Sequence, residues 1–302
     1  MSRCDIDFSN MKRLTIFTPT YNRAYILPKL YESLCQQTCQ DFEWLVVDDG
    51  STDNTKEMVE GWMREEKVAI RLSCQENGGK MRAFNRAVSM SKSELFVCID
   101  SDDQLSNENV VKDSLVYWDI HRNDYQEKPI AGMVSLRKSL HGRRDLTAAP
   151  SHGSLNELCS YYGGETTIFL LINILRNYPY PSFDGEKFVT DVYIYDRIDE
   201  DYQFIFHPYI SQNCEYRQDG YTMSYRRLLF NNPRGHREYH AQRIRLRKNG
   251  WIHSVICYIS LSLFVRDHTL FSASPNRMLT VLLYPLGCLK YVYDRYMLSK
   301  EK

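Results

Sequence analysis

The sequence has no CxxC pair, no internal repeat and no low-complexity tract. Its nine cysteines are scattered and have the spacing of neither a zinc site nor a disulfide framework. With no signal-peptide pattern at the N-terminus, they are expected to be reduced cytosolic thiols. An excess of one charge is also missing. Thirty-eight basic residues stand against 38 acidic ones, which argues against a nucleic-acid partner. No uncharged apolar run reaches the roughly 20 residues that a membrane-spanning helix needs. GxxxxGK(S/T) is absent, and no GxGxxG follows the first apolar segment, so P-loop and dinucleotide chemistry are not expected. What remains is 302 residues of ordinary hydrophobic content, enough for one large domain or a domain with an appendage.

Within that frame the acidic run Asp100-Ser101-Asp102-Asp103 stands out. It follows Leu95-Phe96-Val97-Cys98-Ile99, which reads as a buried strand. Carboxylates crowded at a strand end repel one another unless a cation lies between them. Hard divalent cations take such oxygens, and magnesium usually shares them with phosphates. The run therefore points to a metal and nucleotide-diphosphate site. The alternative is an acidic turn before a helix near Asn107.

Upstream segments repeat the pattern of apolar strand, polar loop and helix. Leu14-Thr15-Ile16-Phe17-Thr18 reads as a strand, stopped by Pro19 and followed by Tyr21, Asn22 and Arg23 and a helix over residues 24–37. Tyr21 is placed to stack on a base and Arg23 to meet phosphate, or the first packs on the helix while the second is solvated. Residues 43–47 form the next strand, ending in Asp48-Asp49-Gly50, with a helix to about residue 66. One of the two aspartates can accept hydrogen bonds from a base or a ribose. Residues 70–75 read as a strand and 81–91 as a helix. Between them Asn77-Gly78-Gly79 lets backbone N–H groups approach an anion, with Lys80 and Arg82 adding charge. Ligands of open α/β sheets bind outside the carboxyl ends of the strands, which is where these side chains converge.

In their order and spacing, the TPTYNR, VVDDGSTD, NGG-K and DSDD stretches of residues 14–103 closely resemble the family 2 glycosyltransferases of GT-A fold. The resemblance implies an α/β, Rossmann-like, mostly parallel sheet flanked by helices. It also implies a nucleotide-sugar donor, usually UDP-linked, a divalent metal (Mn2+ or Mg2+), and inversion at the anomeric carbon. Carried onto this sequence, Pro19 and Tyr21 line the base pocket, and Asp49, with Asp48 beside it, binds uracil or ribose. Asp100 and Asp102 form the DxD, with Asp103 as the alternative metal ligand.

Further on, residues 107–120 read as a helix, 130–134 as a strand, 141–154 as a loop over the site, 155–162 as a short helix and 166–175 as core. Asp184, Glu186 and Asp191 are candidates for the general base that inversion requires. The segment resembles the GEKFxPE stretch of capsular and exopolysaccharide members, in which the acid after Phe-x-Pro is the base. That position is Asp191 here, and Thr190 replaces the proline. The competing role for Asp191 is a cap on the helix 192–198. Residues 202–206 and 210–216 read as two strands, and 218–220 as a turn.

After residue 232 the composition changes, which suggests a lead-in over 1–12, a catalytic domain over 13–232 and a helical C-terminal appendage over 233–302. Residues 234–248 are rich in Arg, and 251–265 and 278–298 are apolar with interruptions. Two expectations stay open: interfacial attachment to an anionic membrane at the inner face of the cell membrane, or a packed helical appendage or dimer interface. The activity expected is transfer of a sugar from a nucleotide-sugar donor to a glycan or lipid-linked acceptor in surface polysaccharide synthesis. The competitors are transfer of one sugar to polyprenyl phosphate, and a non-catalytic nucleotide-sugar-binding subunit.

Overall fold

The computed structural model describes residues 11–124, 127–138, 150–162, 166–214 and 225–300, with the side chains of 160–162 left aside. Most of the loop expected over 141–154 and the turn at 218–220 lie outside the described residues. Two compact units are present, Met1–Pro179 with Ile198–Glu215, and Tyr180–Arg197 with Tyr216–Lys302. This is a different cut from a boundary at residue 232.

The first unit opens with β1 (Leu14–Thr20), α1 (Leu27–Cys35), β2 (Phe42–Asp48), α2 (Thr55–Glu65), β3 (Ile70–Cys74), α3 (Lys80–Met90) and β4 (Leu95–Cys98). After these come β5 (Gln104–Leu105), α4 (Val110–His121), β6 (Ile130–Lys138), β7 (His152–Gly153), α5 (Leu155–Tyr162), β8 (Thr166–Leu171) and α6 (Ile172–Leu175). Helix α7 (Val192–Asp201) leads into β9 (Gln203–Asn213).

The sheet order is β3-β2-β1-β4-β8-β6-β9-β5, with β7 paired to β9. Strands β3, β2, β1 and β4 are mutually parallel. Beyond β4 the sheet is mixed, because β8 runs antiparallel to both β4 and β6 while β6 and β9 are parallel. The parallel pairing expected for most of the sheet is found throughout its N-terminal half and again between β6 and β9.

Both faces of that half are covered, as its near-continuous apolar strands require. Leu14 and Ile16 of β1 pack with Leu27, Leu30 and Leu34 of α1 and Trp118 of α4. The alternate position, Phe17, stacks on Phe96 and meets Phe84 of α3 edge-on. Pro19 does not end the strand: β1 stays in register with β2 through Thr20, while its pairing with β4 ends at Phe17. The two strands expected near 202–216 are one, β9. Its register against β6 slips between His207 and Ile210, where Pro208 has no N–H to give the ladder.

Gly132 of β6 is fixed by its neighbour, since a Cβ there would lie 1.9 Å from the carbonyl oxygen of Phe169. Gly132→Ala is expected to force β6 from β8 and to cost about 3 kcal/mol, read from the denaturant midpoint.

The second unit contains α8 (Tyr225–Asn231), α9 (Pro233–Arg245), α10 (Trp251–Phe264), α11 (Arg277–Leu282) and α12 (Tyr284–Lys300). The apolar stretch 278–298 is divided at Leu283, and Pro285 falls in the first turn of α12, where proline is tolerated. Val255, Tyr258 and Ile259 of α10 form a core with Ala241 and Ile244 of α9 and Leu270. The arginines of α9 are engaged inside this unit. Arg237 binds Asp267, Ser262 and the Tyr258 hydroxyl, and Arg243 reaches Asp196, Tyr239 and the Asn249 carbonyl. Among the described residues no helix is long and apolar enough to cross a membrane.

Candidate active site

The C-terminal ends of β1, β2, β3 and β4 share one sheet edge, and the loops leaving them are tied together by side chains. Asn22, with a left-handed backbone (φ 53°), accepts at its Oδ1 from Thr52 N (2.7 Å) and Asp53 N (3.3 Å). Its own N–H donates to Ser51 Oγ at 2.9 Å. Asp53 accepts from Ala24 N, 3.1 Å away. The first and second loops thereby become one floor. Tyr21 stands 47 % exposed beside it, and the Arg23 guanidinium donates to the Tyr25 hydroxyl at 2.6 Å.

Asp48 and Asp49 are both buried, and both serve the backbone. Asp48 accepts from Ser51 N at 2.8 Å. Asp49 accepts at Oδ1 from Gln75 Nε2 (2.7 Å) and Gly78 N (2.9 Å), and at Oδ2 from Gly79 N (2.7 Å). The anion that the Gly78-Gly79 N–H groups approach is therefore a carboxylate of the protein itself. Gly79 has φ 87°, a left-handed backbone that suits glycine at this turn into α3. Arg82 is exposed and lies back against Gly78, where a Cβ would come within 2.6 Å of its Cδ.

Lys80, at the start of α3, reaches Asp100 with Nζ 2.8 Å from Oδ1 and 3.0 Å from Oδ2. Burial pushes the Asp100 carboxyl up, but Lys80 and then Arg137 outweigh it and hold it below the usual carboxylate range. Asp102 goes the other way. Burial and the neighbouring charge of Asp100 raise it. Asp103 is buried, and burial with Asp100 pushes it up to about 7. Its Oδ2 accepts from Gln212 Nε2, and Gln212 Oε1 accepts from Thr167 Oγ1 at 2.9 Å, so Asp103 belongs to a polar chain crossing β8 and β9.

Arg137 and Gln212 are absent from the sequence-based set. Arg137, near the end of β6, has a buried Nε with no hydrogen-bond partner among the described residues, and the charges of Asp100 and Asp103 raise its pKa against the effect of burial. Its signal in the sequence is the Arg137-Lys138 pair directly after the largely apolar run 130–136.

The three acids of the 184–191 segment are described within the second unit. Glu186 accepts from Arg234 N and Gly235 N, both at 2.8 Å, and so caps α9. Asp184 is exposed, and its carbonyl accepts from Arg234 at 3.4 Å. Asp191 is exposed before α7. Its carbonyl accepts from the Tyr180 hydroxyl (3.0 Å), while its carboxylate makes no capping hydrogen bond among the described residues.

Among the described residues no three His, Cys, Asp or Glu side chains form a metal-ligand cluster. The donor set is a half-buried Asp102 whose carboxyl is raised by the charge of Asp100. A cation would relieve that repulsion. A carboxylate completed by phosphate oxygens suits magnesium, which rarely uses an all-protein cage. The residues present fit such an ion together with a diphosphate.

Residues 15–125 match the model of glycosyl transferase family 2. The glycosyltransferase GlyG of Streptococcus pneumoniae is 34% identical over 112 residues, 37% of this chain and 36% of that protein. Poly(ribitol-phosphate) beta-N-acetylglucosaminyltransferase TarS of Staphylococcus aureus is 31% identical over 116 residues, 38% of this chain and 20% of that protein. These matches thus span about a third or less of the relatives' length. The structure of S. aureus TarS 1-349 in complex with UDP-GlcNAc superposes with a TM-score of 0.57 at 18% identity, covering 91% of this chain and 92% of that one. Mannosyltransferase PcManGT from Pyrobaculum calidifontis, in complex with GDP-Man and Mn2+, gives 0.56 at 17% identity, covering 94% and 88%. At these identities the superpositions show a common fold, the mixed α/β fold of GT-A glycosyltransferases. Residues 15–125 are thus similar to glycosyl transferase family 2, and the chain carries the fold of GT-A glycosyltransferases.

Proposed function

We propose that this protein is a metal-assisted, inverting glycosyltransferase that moves a sugar from a UDP-linked donor to a hydroxyl of a glycan or lipid-linked glycan in surface polysaccharide synthesis. The observation that carries the reading is the meeting of Asp100 and Asp102 with Lys80 at the strand edge of a family 2 region, with Arg137 close by in charge. Tyr21 and Pro19 flank the base, and Asp48 and Asp49 shape its pocket by holding the loops. Asp102, rather than the buried and Gln212-bonded Asp103, is the metal ligand. A bound Mn2+ or Mg2+ supplies charge stabilisation to the departing diphosphate. Lys80, Arg137 and Arg23 add fixed positive charge where negative charge develops. Asp191 takes the proton of the acceptor hydroxyl as the new C–O bond forms and the bond to the diphosphate breaks. Its exposed carboxylate is unengaged among the described residues, whereas Glu186 is occupied as a cap.

Donor hydrolysis across a panel of nucleotide sugars, with and without Mn2+ or Mg2+, tests this. Metal-dependent release of UDP, reduced about a hundredfold or more in Asp102→Asn, is expected. Metal-dependent binding of UDP without turnover, even with glycan acceptors supplied, would favour a binding subunit. Absence of both binding and turnover would remove the assignment.

A further inference from the structure

The outward face of α11 and α12 is apolar and uncovered. Met278 is 77 % exposed, Leu282 69 %, Leu289 67 % and Val292 64 %, and Leu286 and Tyr296 continue the stripe. The spacing of three or four residues puts them on one side of the helices. The opposite side of α12 faces the core. Gly287 lies so close to Ile259 that a Cβ would come within 2.3 Å of its Cγ2, and buried Asp294 binds Ser260 Oγ and Lys290 Nζ. The stripe is thus the surface left over after α12 has seated itself on α10.

Among the described residues of α11 and α12, the exposed charges around the stripe are of one sign. Arg277, Arg295 and Lys300 are exposed, while the one acid of α11 and α12, Asp294, is buried against Lys290. Lys300 lies with its Nζ 4.6 Å from the Tyr296 ring centroid, and Arg295 lies beside Tyr291. Exposed Tyr293 and Tyr296 are amphipathic rings of the kind that settle at headgroup level. A second copy of this face would bring together the like charges of Arg277, Arg295 and Lys300 with no exposed acid of α11 or α12 to meet them, which disfavours self-association. An anionic lipid surface supplies both an apolar layer and the missing negative charge.

We infer that the α11–α12 face docks on the surface of an anionic membrane, lying in the interface without crossing it. This does not rest on the proposed activity and is tested without it. The whole protein is sedimented with phosphatidylcholine vesicles, and with the same vesicles containing phosphatidylglycerol. Binding is expected to the second set, to weaken at high salt, and to fall about tenfold or more in Leu289→Asp/Val292→Asp. Both positions are solvent-facing, so the variant should keep the wild-type circular dichroism and melting temperature. Arg295→Gln/Lys300→Gln should weaken binding to the anionic vesicles and leave the apolar stripe intact. Three results would overturn the inference: no binding to either vesicle, equal binding to both, or a wild-type dimer in light scattering that the Asp pair converts to monomer.

Discussion

Asp49→Ala is expected to destabilise the first unit by about 4 kcal/mol, more than any other single change at the strand edge. The carboxylate receives three hydrogen bonds, from Gln75 Nε2, Gly78 N and Gly79 N. Removing it leaves two buried backbone N–H groups with no acceptor and unfastens the turn that starts α3. Lys80 follows that turn, so its bond to Asp100 would loosen as well. Asp49→Asn should recover only part of the loss, because the amide offers one acceptor oxygen and turns its NH2 towards donors. Urea unfolding of the three proteins checks this. Wild-type stability in Asp49→Ala, with nucleotide binding alone lost, would show that the carboxylate serves the ligand and not the loop.

Two buried histidines should each weaken the fold in acid, well above the pH at which most carboxylates titrate. Burial holds the His207 imidazole down at about 4, and burial with the nearby Lys290 ammonium holds His236 at about 4, against an ordinary value of 6.5. An unfolded chain takes these protons near pH 6.5, while the folded chain takes them only near 4. The contribution of each histidine is therefore full above pH 6.5 and declines as the pH falls towards 4, while Asp103, pushed up to about 7 in the folded chain, works in the opposite direction within the first unit. At pH 5 each histidine should cost roughly 2 kcal/mol relative to pH 7.5. Urea midpoints measured between these pH values would show it. His207→Phe keeps a ring against Tyr117, whose centroid lies 4.5 Å away. It should remove about 2 kcal/mol of the acid loss, and an unchanged pH slope in that variant would refute the assignment.

The N-terminal half of the sheet is legible in the sequence because its strands are buried on both faces and its helices carry apolar residues at regular spacing. Strand ends β1, β2 and β4 and their loops carry the expected Tyr21, Asp48, Asp49, Asp100 and Asp102. Their hydrogen bonding is another matter. A carboxylate beside a glycine pair reads equally as a ligand group or as a loop anchor, and only the distances from Asp49 to Gly78 and Gly79 distinguish them. Arg137 and Gln212 were hidden because they come from β6 and β9, which reach β4 only through β8. The break expected between residues 206 and 210 is instead a bulge within one strand, β9, which accommodates Pro208. In the C-terminal region the arginine count of α9 suggested a charged surface. It did not show that Asp267 and Asp196, distant in sequence, would engage those arginines.

The reversal of direction at β4 bears on how the protein is made. One edge of β4 can pair with β1 as soon as both have left the ribosome, but the other waits for β8, since Leu95 faces Leu171. At common synthesis rates of about 5–20 residues per second, that edge stays bare for roughly 4–15 seconds. During this time Leu95, Phe96 and Val97 present an open hydrogen-bonding row, a template for pairing with the wrong chain. A nascent chain stalled before residue 166 should therefore be captured by chaperones or aggregate, whereas one stalled after residue 213 should not. The interval between β4 and β8 makes synthesis speed a determinant of yield for this protein.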